Sequence, residues 1–231
     1  MLHNGDCIAY MKTMDPESID LIVTDPPYLM DYQSMWRSET PTFDKIAGDI
    51  DGHQLIKDYF EQCNRILKND TNIYSFCSWH HIDFFKAEFD KHFQLKNILV
   101  WHKRGGNGLG DLDGSWAVDY EFILFGAKGR RILNKKIAKT RTSSVIKTNR
   151  VVTATMVHPT EKPVELIEQL VLASSDRGQV VFDGFVGSGS HGSAAVRNGR
   201  SFIGCELEER YYKIAKERIE SASCTLDQFF V

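Results

Sequence analysis

The chain has 231 residues, of which 42% are hydrophobic and 26% charged, and its formal net charge is −3. Those values are ordinary for a soluble globular protein and fit one α/β domain with a large core. They carry no global nucleic-acid signal; no apolar run approaches membrane-spanning length, and the N-terminus lacks a basic stretch leading into an apolar one, so neither a membrane span nor a signal peptide is expected.

In chain order, residues 21–24 read as a buried strand. Pro26-Pro27 must end it in a rigid turn, because neither proline donates a backbone hydrogen bond or extends a helix. Residues 54–67 carry Leu55, Tyr59, Phe60, Cys63 and Leu67 near helical spacing, 72–79 is strand-like and 82–93 helical. Strands at 98–102 and 121–125 flank the glycine-rich loop 105–110. Pro163 opens a helix continued by Val164, Ile167, Leu170 and Val171. Buried strands follow at 180–182 and 202–205, and Tyr211, Ile214, Ala215 and Ile219 mark a last amphipathic helix. Such alternation predicts a mainly parallel sheet covered on both faces. The five scattered cysteines predict reduced, buried thiols in a cytoplasmic protein, and no histidine or cysteine spacing suits a metal.

Asp25-Pro26-Pro27-Tyr28 holds a carboxylate, two carbonyls and an aromatic ring in one fixed turn at a strand end. A flat ring bearing an amine can stack on Tyr28 while its NH2 donates to Asp25 and the Pro26 carbonyl, which is nucleobase chemistry. A strand-ending turn with a packed tyrosine is the plainer reading. A second feature is the run from Lys128 to Arg150, with nine Lys and Arg and no acidic residue. Such a block is either a phosphate-facing loop or insert, taken here as 128–157, or a solvated loop.

A third feature lies near the C-terminus. Strand 180–182 and Asp183 run into Gly184-Phe185-Val186-Gly187-Ser188-Gly189-Ser190-His191-Gly192, followed by a helix start. Glycines let backbone approach a ligand, and a helix N-terminus offers unpaired N–H groups. Glu206 ends the next strand about 20 residues after Gly187, where a carboxylate can chelate ribose hydroxyls. A nucleoside-containing cofactor follows. The spacing of Gly187, Gly189 and Gly192 also fits a nicotinamide dinucleotide, but little chain follows for a second half-domain, and Asp183 offers a carboxylate to an amine that a methionine-derived cofactor carries.

Taken together, Gly5-Asp6-Cys7, Asp25-Pro26-Pro27-Tyr28, Trp101-His102-Lys103, Tyr120-Glu121, His158-Pro159-Thr160-Glu161-Lys162-Pro163, Asp183 to Gly189 and Phe202-Ile203-Gly204-Cys205-Glu206 span almost the whole chain. In that order they resemble the amino-methyltransferases of DNA, in the permuted class with the catalytic motif first and the glycine loop last. The resemblance implies a doubly wound α/β fold with a mainly parallel seven-stranded sheet and one antiparallel strand, a single domain over 1–231, and S-adenosylmethionine as cofactor. Asp183, Phe185, Gly187, Ser188 and Gly189 would hold its methionine part, Glu206 the ribose and Asp6 the adenine. His158, Thr160 and Lys162 would flank the methionine end. Asp25, Pro26, Pro27 and Tyr28 would be catalytic, and Lys135, Lys136, Lys139 and Arg141 would contact DNA. Where the family usually has Pro, Ala and Thr, this chain has Gly184, Val186 and Ser190. Gly184 is expected to loosen the turn and Val186 to add bulk beside the cofactor. Leu29 replaces an asparagine or similar residue.

The implied reaction is methyl transfer to adenine N6 in DNA, with the base flipped out of the duplex. No Pro-Cys pair is present for a cytosine C5 mechanism. Cytosine N4 is the nearest alternative, although those enzymes usually carry Ser in place of Asp25. RNA, a protein glutamine, or DNA binding without catalysis are further readings, and a homodimer and a cognate restriction nuclease remain open as partners. Replacing Lys135, Lys136 and Lys139 together with Ala should weaken binding alike across unrelated DNA sequences and lower the log–log salt slope by about one unit per lost phosphate contact. Titrations at several salt concentrations check this, and an unchanged slope identifies a solvated loop.

Overall fold

The computed structural model describes residues 1–29, 52–104, 114–134, 143–151, 156–158 and 160–227. The candidate DNA contacts Lys135, Lys136, Lys139 and Arg141, the loop 105–110 and Pro159 lie outside these residues.

Strand β1 (Leu2–Asn4), helix α1 (Cys7–Thr13) and strand β2 (Ile19–Thr24) open the chain. Helix α2 (His53–Ile66) leads directly into β3 (Leu67–Cys77), and a 3-10 turn at Trp79–His81 precedes α3 (Ile82–Asp90). Strands β4 (Gln94–Arg104), β5 (Tyr120–Lys128) and β6 (Val145–Asn149) follow, then α4 (Val164–Ser174), β7 (Val180–Asp183), α5 (Ser190–Arg197), β8 (Ser201–Glu206) and α6 (Glu209–Asp227).

Among the described residues these strands form one eight-stranded sheet in the order β1-β8-β7-β2-β3-β5-β4-β6. Strand β5 runs antiparallel to β3 and β4, and every other neighbouring pair is parallel. The count exceeds the expected seven by one. Neither β1 nor β6 was legible in the sequence: each is too short for a period, and each is defined by its partner, β8 or β4. Helix α1 was missed because its seven residues give too little period. Its start is fixed by Asp6, whose Oδ1 accepts from the Ala9 amide at 2.7 Å, a side-chain N-cap.

The connections decide where a ligand can sit. From β2 the chain winds outward to β3, and from β7 it winds the opposite way to β8. Between neighbours β2 and β7 the winding reverses, which opens a crevice at the carboxyl ends of both strands. Asp25 follows the last residue of β2 and Asp183 is the last residue of β7, so the two motifs read from the sequence meet at that crevice.

Strand β2 is buried along its whole length, as expected for a central parallel strand covered on both faces. Ile22 belongs to one core with Tyr59, Phe60, Phe85, Phe89, Phe93 and Phe182. Leu21 and Val23 belong to the other with Tyr74, Leu166, Leu170, Ala194 and Ala215. Cys7, Cys63, Cys77 and Cys205 are buried free thiols. Among the described residues no helix is long and apolar enough to cross a membrane.

Phe60 presents its ring edge-on to Phe85, Phe89 and Phe93 at centroid distances of 6.4, 5.5 and 6.5 Å. Phe60→Ala should therefore destabilise the fold by about 3–5 kcal/mol, the usual result of emptying a buried aromatic site. Equilibrium denaturation measures it, and a loss below about 1 kcal/mol would show that the cluster collapses around the gap.

Candidate active site

The turn after β2 is held from inside. Pro26 and Pro27 are buried, and Tyr28 turns back so that its hydroxyl donates to Asp25 Oδ1 at 2.7 Å. The same hydroxyl stands 3.0 Å from Glu121 Oε2 on β5. Leu29 has a φ of 61°, a left-handed conformation that costs energy for a side chain of this size, and it packs on the first core.

Lys162, only 3% exposed, completes the cluster. Its Nζ lies 2.5 Å from Asp25 Oδ2 and 3.3 Å from Glu121 Oε2, and it donates to the Thr160 carbonyl at 3.2 Å. On the far side of Glu121, Lys103 from β4 reaches Oε1 at 2.5 Å. Two cations and two carboxylates thus neutralise one another where water is scarce. Burial pushes the Asp25 carboxyl above its usual range, against the pull of Lys162. Glu121 is buried too, but Lys162 and Lys103 outweigh that and hold it below its usual value. Burial opposes the charge of Lys162, yet Asp25 and Glu121 hold its ammonium protonated beyond the ordinary range.

Across the crevice, Asp183 has no solvent exposure. Its Oδ1 accepts from Thr24 Oγ1 at 2.9 Å and the Phe185 amide at 3.0 Å, and its Oδ2 lies 2.6 Å from His191 Nδ1. This carboxylate, expected to meet a cofactor amine, thereby locks the glycine loop to β2 and α5. Gly184 likewise does not loosen the turn. A Cβ there would lie 2.4 Å from the Tyr59 ring, and the Gly184 amide, which a proline would lack, donates to Tyr59 Oη at 3.1 Å. Val186 points into the core against Gly204, not toward the crevice.

Gly187 and Gly189 carry φ values of 54° and 87°, and a Cβ on Gly189 would meet the Ala215 backbone of α6 at 2.9 Å. The imidazole of His158 stands over Gly187, about where a Cβ would touch it at 3.5 Å, and packs edge-on against Tyr211. Thr160 meets His158 Nδ1 through its amide at 3.3 Å and its hydroxyl at 3.2 Å. The 158–162 segment therefore bridges both sites: His158 covers the glycine loop and Lys162 reaches Asp25. Lys162, expected to flank the methionine end of a cofactor, thus lies against the Asp25–Tyr28 turn. Glu206 closes the crevice, accepting from the Gly187 amide at 2.7 Å and the Glu208 amide at 2.8 Å. Burial raises its carboxyl. Exposed Asp6 lies across the β1–β8 edge, where the Gly5 amide donates to the Glu206 carbonyl.

Arg218 on α6 carried no sequence signal. It donates to Glu161 Oε1 at 2.7 Å and Ser188 Oγ at 3.1 Å, clamping the bridging segment to the glycine loop. Tyr59 was read only as part of a helix face, and Lys103 and Glu121 only as parts of motifs. In the basic block, Lys128 donates to the carbonyls of Asn64 and Leu67 at 2.9 and 2.8 Å, closing the end of α2, and Arg131 pairs with Asp176. These two are structural, whereas Lys147 and Arg150 are exposed.

The DNA methylase family matches the chain over residues 19–217. The type II methyltransferase M2.DpnII of Streptococcus pneumoniae is 29% identical, over 97% of this chain and 91% of its own. The DNA adenine methyltransferase YhdJ of Escherichia coli is 28% identical, over 95% of this chain and 82% of its own. The crystal structure of the M1.HpyAVI–SAM complex superimposes with a TM-score of 0.75 at 22% identity, covering 95% of this chain and 98% of that one.

Burial, followed by the charge of Lys162, lowers the His158 imidazole from 6.5 to about 4. The unfolded chain takes up this proton below the ordinary value and the folded chain only near the lowered one, so stability falls as pH drops through that window. His158→Asn should lose less stability than the wild type between pH 7 and about 5. Denaturant midpoints at the two pH values check this, and equal losses would show that His158 is not responsible.

Proposed function

Because the chain belongs to the DNA methylase family, we propose that it transfers a methyl group from S-adenosylmethionine to the exocyclic N6 of adenine in DNA. The observation that carries the reading is the placement of the Asp25–Tyr28 turn. It stands at the reversal of the winding, joined to the glycine loop by the segment that bears both His158 and Lys162.

The donor set fits this cofactor. Glu206 has two of its four lone-pair positions taken by amides, which leaves acceptors for two ribose hydroxyls. The Gly187 amide on Glu206 holds the glycine loop beside that carboxylate, with the His158 ring over Gly187. The M1.HpyAVI complex, of the same fold, contains this cofactor. When bound, it supplies a methyl group on a positively charged sulfur.

The protein's own residues prepare the acceptor. An exocyclic nitrogen is a weak nucleophile because its lone pair is delocalised into the ring. Asp25 and the Pro26 carbonyl, accepting its two N–H bonds, favour a pyramidal nitrogen with the lone pair aimed along the transfer line. Prealignment of this kind removes much of a bimolecular barrier, and the Asp25 charge stabilises the cation forming on nitrogen. A base inside a duplex cannot reach the crevice, so it must be flipped out, with the Tyr28 ring as its stacking partner. Adenine is favoured over cytosine because position 25 is an aspartate and not a serine, and the related YhdJ is an adenine enzyme.

Incubating the protein with labelled S-adenosylmethionine and unmethylated bacterial DNA, then analysing nucleosides by mass spectrometry, should yield N6-methyladenine. N4-methylcytosine would establish the other reading, and an unmethylated product would reject both. Asp25→Ala should slow transfer about 10²–10³-fold. Tyr28→Phe should keep more activity than Tyr28→Ala, since stacking contributes roughly 1–3 kcal/mol per base.

A further inference from the structure

The proposed chemistry leaves a question about Asp25. Both of its oxygens are engaged inside the protein, Oδ1 by the Tyr28 hydroxyl at 2.7 Å and Oδ2 by the Lys162 ammonium at 2.5 Å. Each oxygen keeps one further lone-pair position, but a target amine that donates there must fit beside one of these groups or displace it. Lys162 is 3% exposed, so a displaced ammonium cannot retreat into water without a large rearrangement, and leaving it buried without a counter-charge is strongly unfavourable.

Glu121 supplies the alternative partner. Its Oε2 already lies 3.3 Å from Lys162 Nζ and 3.0 Å from the Tyr28 hydroxyl. Both groups that occupy Asp25 therefore stand within reach of one and the same oxygen of Glu121. That hydroxyl has a single hydrogen, so it bonds fully to one carboxylate at a time. Glu121 itself cannot drift, because it sits within β5 opposite Trp101 of β4 and has Oε1 tied to Lys103 at 2.5 Å. The Tyr28 and Phe76 rings face the ammonium at 5.4 and 5.1 Å and offer it cation–π contact along the way.

We propose that Glu121 is a positioning residue for methyl transfer: it takes over Lys162 and the Tyr28 hydroxyl when the target amine engages Asp25. In the free protein the lysine ammonium stands in for the amine and keeps the Asp25 carboxylate paired. When the amine arrives, the ammonium shifts from Asp25 toward Glu121, and no buried charge is stranded at any point. The inference rests on the methyl-transfer reading above.

The test uses the full chain in single turnover, with the protein preloaded with labelled S-adenosylmethionine and mixed with unmethylated bacterial DNA. Glu121→Gln keeps the shape and the hydrogen-bonding reach but removes the charge that receives Lys162. Transfer should slow roughly 10-fold to 100-fold, the scale set by a misplaced reacting group, while the cofactor Kd stays near wild type; the melting temperature falls, as it does when a buried ion-pair cluster loses one charge. Lys103→Gln, which loosens Glu121 without touching Asp25, should show the same split in weaker form, and serves if Glu121→Gln folds poorly. In a Lys162→Met background Glu121→Gln should add less than its loss in the wild type, because the charged one of the two groups it receives is gone and only the Tyr28 hydroxyl remains. Multiplying losses in that double variant, or a Glu121→Gln rate within about two-fold of wild type, would overturn the inference and leave the functional reading intact. Wild-type protein that transfers no methyl group would overturn the functional reading, and this inference with it.

Discussion

A carboxylate without access to water must be satisfied by the protein around it, and Asp183 is the buried group on which this fold's working end depends. Its partners come from separate parts of the chain: Thr24 closes β2, His191 lies in the first turn of α5, and the Phe185 amide belongs to the loop between. Thr24 in turn meets Tyr59 of α2 at 2.8 Å. One buried charge therefore fixes two central strands and two helices at the place where the winding reverses. Removing any of these partners would leave a buried donor or acceptor unpaired, a penalty of about 1–3 kcal/mol and more for a charged group. The loop can be short and glycine-rich because its conformation is imposed by those bonds from beneath.

The second polar cluster follows the same rule at the opposite wall. Asp25, Glu121, Lys162 and Lys103 alternate in sign, and each buried charge touches an opposite one. Ion pairs of this kind contribute little net stability, because desolvation offsets most of their attraction, whereas losing one member costs about 3–5 kcal/mol. An apolar core would hold these strands together as well. Burial drives the Asp25 carboxyl up while two lysines hold Glu121 down, a divergence that supports the proposed catalytic reading of this cluster.

Departures from the family's usual loop turn out to be compensated locally. Gly184 removes a ring and restores an amide, and Tyr59 fills the space and accepts from that amide. Val186 enlarges a side chain, and Gly204 on the neighbouring strand makes room for it: a Cβ on Gly204 would lie 2.5 Å from Val186 Cγ2. Read singly along the chain, one change loosens the turn and the other adds bulk; paired with Tyr59 and Gly204, each is accommodated.

Much was legible in the sequence because the signals are local. The proline pair after a β-run, the glycine-rich turn between strand and helix, and the acid closing the next strand each depend on neighbours within a few residues. Those signals carried the doubly wound class, the single antiparallel strand implied by the family order, and the two halves of the candidate site. The strands β1 and β6 stayed hidden because they are short and are defined by their partners, and α1 because seven residues give too little period. The role of individual side chains was decided only by the tertiary structure. Lys162 lies 137 residues from Asp25, and Glu121 lies 93 from Tyr28. Nothing in local periodicity states which carboxylate meets which ammonium, or that Asp183 faces inward. Those outcomes depend on the strand order and on the need of every buried charge for a partner, and both are properties of the folded chain as a whole.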